Sequence, residues 1–140
     1  MAQGFEDHLI AEMSSRRRII VGSRYSVRRS NLTPSIIAGI EREKVIFDFG
    51  EFFYPSSTSP IQTIQVDVLV DSGVDPDPES RMLGLPVLMN SITTGAVHLG
   101  VRVLFGNMLA GVVYIIRCTV ETLDGHQLVT EARWPCVAVP

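Results

Sequence analysis

Four carboxylates fall within the nine residues from Asp71 to Glu79: Asp71, Asp75, Asp77 and Glu79. Oxygen donors at this density suit Ca²⁺. The spacing is not that of an EF-hand loop, however. Pro76 and Pro78 stiffen the run, and its glycine, Gly73, comes early. The segment reads instead as a solvated acidic loop. The three histidines, His8, His98 and His126, have no partner at ligand spacing, which argues against zinc. No nucleophile stands beside a histidine and a carboxylate in local sequence, and no glycine-rich phosphate loop occurs. The expectation is a non-enzymatic chain with no catalytic residue, no metal and no cofactor. Cys118 and Cys136 are too few for a disulfide framework. They read as thiols of a chain made in a reducing cytoplasm.

The remaining chemistry-bearing side chains are arginines, and they are concentrated at one end. Residues 1–44 hold eight basic and five acidic side chains (net +3), while residues 45–140 hold four basic and ten acidic ones (net −6). A basic arm on an acidic body suggests an arm that docks elsewhere. Arg16, Arg17 and Arg18 are followed by Ile19, Ile20 and Val21, then by Arg24, Tyr25, Arg28 and Arg29. Apolar residues and arginines alternate there without a core to serve. An extended arm ordering against neighbouring subunits fits this best, with those ten residues as the partner-binding set. A disordered tail is the second reading. Nucleic-acid binding through arginine and a stacking tyrosine is the third, because Glu6, Asp7, Glu12, Glu41 and Glu43 dilute the positive field. A short amphipathic helix fits residues 1–15, with Phe5, Leu9, Ile10 and Met13 on one side.

The elements that must position all this are strands. In a chain of 140 residues that is 46% apolar, a real core is available. No apolar run approaches the roughly 20 residues of a membrane helix, and Glu6, Asp7, His8 and Glu12 interrupt any signal-peptide core. Ser30 to Ser35 is a breaker-rich joint. Period-two alternation then runs through Val45–Phe49, Ile64–Val70 and Val97–Phe105, and Val87–Ile92 reads as a further strand. Six or seven short strands separated by turn signals predict a two-sheet antiparallel sandwich over residues 44–140, preceded by the arm, residues 1–43.

The last two strands form a hairpin whose register the sequence specifies. Val112, Tyr114, Ile116, Cys118 and Val120 share one face, and Leu128, Ala132 and Trp134 share one on the return. A two-residue Asp124-Gly125 loop would set even positions against odd ones and split the apolar sets. A type I turn over Leu123-Asp124 with Gly125 left-handed pairs even with even. Thr122 then meets His126, Val120 meets Leu128 and Tyr114 meets Trp134. Only this register buries one continuous face. Tyr114 lies where immunoglobulin-like folds often carry a buried tyrosine, and Trp134 belongs to the core or the sandwich rim.

Three stretches together carry a resemblance. Phe47-Asp48-Phe49-Gly50-Glu51-Phe52-Phe53 opens it. Ser72-Gly73-Val74-Asp75-Pro76-Asp77-Pro78-Glu79-Ser80-Arg81-Met82-Leu83-Gly84-Leu85-Pro86 forms its middle. The run from Gly111 to Gly125 ends it. Over residues 44–138 the chain resembles the fibre–tail adaptor proteins of tailed bacteriophages, small immunoglobulin-like virion proteins. The Ser-Gly-x-Asp-Pro loop with its following Met-Leu-x-Gly is the more telling part. The resemblance implies an immunoglobulin-like sandwich and a non-enzymatic structural role at the virion tail or neck. It implies partners among the tail tube, connector or nozzle proteins and the tail fibre, with copies in a symmetric ring and no membrane. The arm is longer and more basic than the family pattern, which leaves a head–tail connector (neck) position open. The runner-up is a ligand- or receptor-binding immunoglobulin-like module using Trp134, Tyr54 and the Ser/Pro loop.

Overall fold

Side chains alternating every second residue build two sheets that close over one core. The computed structural model describes residues 15–21, 30–31, 42–52 and 59–137. Among these, the strands are β1 (Ser15–Val21), β2 (Ser30–Asn31), β3 (Arg42–Asp48), β4 (Ile61–Ser72), β5 (Val87–Met89), β6 (Gly100–Phe105), β7 (Val113–Thr122) and β8 (Gln127–Pro135). Gly50–Phe52 and Pro78–Arg81 are single 3₁₀ turns. One sheet runs β1-β3-β6-β5 and the other β2-β8-β7-β4. The fold is an all-β sandwich.

The core lies between the sheets. Val45, Phe47, Val101 and Val103 point inward from the first sheet, and Val68, Tyr114, Ile116 and Trp134 from the second. Phe105 and Trp134 meet across the gap edge to face, with ring centroids 5.8 Å apart. This arrangement suits the opposed charge of ring edge and ring face. Trp134 is fully buried.

The terminal hairpin has the expected register. Tyr114 pairs with Trp134 and Val120 with Leu128. The Thr122 amide donates to the His126 carbonyl, and Gly125 takes the left-handed conformation the turn requires. Two other strands are shorter than expected. The strand expected at Val87–Ile92 stops at Met89, and the one expected at Val97–Phe105 begins at Gly100. His98 has a positive φ of 55°, which breaks the extended backbone there.

The largest departure concerns the arm. Its expected boundary, between residues 43 and 44, falls inside β3. The described parts of the arm are paired in the same chain. β1 lies parallel to β3 from Ser15↔Arg42 to Val21↔Asp48, and β2 lies parallel to β8. The four pairings among β3–β8 are antiparallel. Ile20 is 1% exposed and belongs to the core. The physical reason is that β3 and β8 would otherwise leave open edges, whose unpaired amides and carbonyls an extended segment can satisfy. The amphipathic helix expected over residues 1–15 lies outside the described residues except Ser15, which begins β1.

Candidate functional site

β4 ends at Ser72 and β7 begins at Val113, and these neighbouring strand ends frame the acidic loop. Asp75, expected in solvent, is instead buried at the centre of a clamp. Its Oδ2 accepts from Arg81 Nε at 2.9 Å and from the Tyr114 hydroxyl at 2.6 Å. Its Oδ1 accepts from the second Arg81 nitrogen at 3.0 Å and from the Asp77 amide at 2.9 Å. Four donors on two oxygens satisfy the carboxylate fully. Arg81 above all, then Tyr114 and the Asp77 amide, hold Asp75 well below the usual carboxylate range despite its burial. A carboxylate so engaged has no capacity left for a cation. Among the described residues, no group of three or more His, Cys, Asp or Glu is placed to hold a metal ion.

Tyr114 also accepts from the Leu109 amide at 3.0 Å. A hydroxyl reaching back to the backbone a few residues upstream is the geometry of a tyrosine corner. Beyond the clamp, the loop returns along the end of β6. The Leu83 amide donates to the Leu104 carbonyl and the Gly106 amide to the Arg81 carbonyl. Glu79 accepts from the Val68 amide of β4 at 3.4 Å, occupying a donor on the edge that no described strand pairs. The loop is therefore tied to β4, β6 and β7 at once.

This loop offers two large aliphatic side chains outward. Val74 is 83% exposed and Leu85 is 88% exposed. Asp77 and Glu79 are exposed between them in sequence. The arrangement can present fixed aliphatic side chains, with carboxylates close by in sequence, to another surface. It holds no group poised for bond-making.

Two further concentrations of polar groups tie local structure together. Asp48 is fully buried at the end of β3. It accepts from Gly50 N, Ser91 Oγ, Ile92 N, Thr93 N and Thr93 Oγ1 at 2.7–3.2 Å. This anchors the turn after β5 onto the end of β3 across more than 40 residues. At the hairpin tip, Asp124 accepts from Thr122 Oγ1 at 2.5 Å and meets His126 Nδ1 at 2.9 Å, both of which lower its pKa. The tip is exposed, and Ser59 Oγ accepts the Asp124 amide there. Burial pushes the Cys118 thiol up, which keeps it protonated and unreactive.

The residues expected to bind partners scatter in fate. Arg16, Arg17 and Arg18 lie along β1, with Ile19 and Val21 exposed and Ile20 in the core. Arg24, Tyr25, Arg28 and Arg29 lie outside the described residues, as does Tyr54. Trp134, expected as a binding surface in the runner-up reading, is enclosed between the sheets and presents no surface to a ligand. Phe52 stacks on Phe49 at 5.8 Å, so it too serves packing. Sequence reasoning missed Arg81 as a site residue. Its signal was there: a lone cation six residues after Asp75 in an otherwise acidic segment. No described helix is long and apolar enough to cross a membrane. Comparison with family models, with curated proteins and with solved structures gives no match.

Proposed function

We propose that this chain is a non-enzymatic structural protein of a tailed-bacteriophage virion, an adaptor at the tail or neck that joins tail or connector proteins to fibres. The observation that carries this reading is the clamp at Asp75. The stretch Ser72–Pro86, which bears the most telling part of the resemblance, is the one that Arg81 and Tyr114 hold rigid. It also projects Val74 and Leu85 into solvent. A loop ordered before binding loses little entropy on association, so a small apolar contact suffices.

The strand order supports the same reading. With β3 to β8 lettered B to G, the sheets run B-E-D and G-F-C, the order of the immunoglobulin constant type. The use of Asp48, Ser91, Asp75 and Tyr114 in internal hydrogen bonds favours a role carried by surface contacts over catalysis. On this reading the partners are other virion proteins, copies of the chain form a symmetric ring, and nucleic acid and membrane play no part.

Purified tailed particles from cells expressing the chain's own phage test this directly. The chain should be found in the particle, in the tail or neck fraction, and the variant Val74→Ser with Leu85→Ser should be lost from it while remaining folded. Absence of the unaltered chain from the particles overturns the proposal.

A further inference from the structure

β1 and β2 form an N-terminal strap that completes an edge of each sheet. β1 completes the edge of the first sheet at β3, and β2 completes the edge of the second at β8. Of the described β1 side chains, Ile20 alone is buried, and Ile19 and Val21 are exposed. Burying one isoleucine does not outweigh the entropy of ordering seven residues. Backbone pairing therefore runs the whole length of β1, with Ile20 as the buried anchor among its described side chains. When it lifts, β3 and β8 present unpaired amides and carbonyls, an edge that a strand of the same sequence satisfies equally well.

We infer that the β3 and β8 edges are a strand-exchange site whose occupant is the strap of a second copy of this chain. Strap and body are joined through residues 32–41, which include Pro34 and Gly39. Ten residues extend to roughly 33 Å at about 3.3 Å each. A body of about 100 residues has a radius of gyration near 13 Å. The joint is thus long enough to carry the strap onto a neighbour in contact. The pairings made within one chain and between two are identical, so the choice is set by the joint and by local concentration. Inside an assembly that concentration is high, and exchange prevails. Reciprocal exchange gives a dimer. Head-to-tail exchange gives a ring. This inference concerns how copies join, and it stands whether or not they belong to a virion.

The register supplies the test. Ile19 and Ile46 are paired residues of β1 and β3, and adjacent strands bring such positions within disulfide range. Full-length chains carrying Ile19→Cys and Ile46→Cys separately are mixed at high concentration and oxidised. The expected result is a covalent heterodimer at least ten-fold above that from Ile19→Cys mixed with the unaltered chain. Sedimentation of the unaltered chain gives an independent readout. Association should rise with concentration and be lost in Ile20→Asp, whose strap cannot seat. A disulfide formed only within one chain carrying both substitutions, with no heterodimer, overturns the inference. So does association that survives Ile20→Asp.

Discussion

The Tyr114 hydroxyl donates to Asp75 Oδ2 at 2.6 Å, across 39 residues of sequence, while accepting from the Leu109 amide at 3.0 Å. One side chain thus couples the acidic loop, the turn before β7 and the sandwich core, where its ring is fully buried. Tyr114→Phe keeps the ring and removes the coupling. It leaves the Leu109 amide without that acceptor and Asp75 with one fewer donor. The expected loss is about 1–3 kcal/mol, read from urea unfolding, with faster amide exchange in residues 72–86.

The same clamp fixes a pH window. The folded-state pKa of Asp75 lies well below the unfolded value of 3.8, through Arg81 first, then Tyr114 and the Asp77 amide, with burial opposing them. Its contribution is complete above the unfolded value and is lost as the pH falls below about 3.8. Tyr114 moves the other way. Burial first, and then Asp75, push it up from 10.0 to about 12. Its contribution is complete below about 10 and is lost as the pH rises towards 12. Thermal melting across pH should show a plateau between these limits. In Asp75→Asn the acid limb attributable to this group should vanish. That variant should also lose about 3 kcal/mol at neutral pH, because Arg81 is left largely buried without its counter-charge.

Gly50 is required for a steric reason. A Cβ there would overlap Ser91 Oγ and Thr94 Oγ1, the hydroxyls of the turn that Asp48 anchors. Gly50→Ala must displace that turn and break the Asp48–Ser91 hydrogen bond. The expected cost is about 1–3 kcal/mol, measured by denaturant titration. Ser91→Ala in the same background should then add little, because the bond it would remove is already gone.

The exposed loop residues should behave in the opposite way. Val74→Ser and Leu85→Ser touch no buried contact, and each should change stability by no more than about 0.5 kcal/mol. Their effect should fall on partner binding instead. A binding loss with an unchanged melting curve is the expected pair of measurements. A destabilised fold would mean that these side chains serve the core.

Local chemistry made much of the fold legible. Alternation of Val112 to Val120 against Leu128 to Trp134 leaves one register that buries a continuous face, and Leu123-Asp124-Gly125 supplies the turn that enforces it. Both signals act over a few residues, so the sequence alone determined the hairpin, the all-β class and the approximate positions of β3, β4 and β6. What only the tertiary structure decided are the long-range partners. Asp75 looked like one of four solvated carboxylates, because Tyr114 lies 39 residues away and nothing in the alternation says which carboxylate it meets. Asp48 likewise finds Ser91 across 43 residues. The arm looked coreless because the strand it pairs with, β3, lies beyond a joint of ten residues, and alternation within the arm does not name that partner. Periodicity reports which face of a strand is apolar. Which strand lies beside it, and which buried charge is matched, depends on chain segments brought together only when the two sheets close.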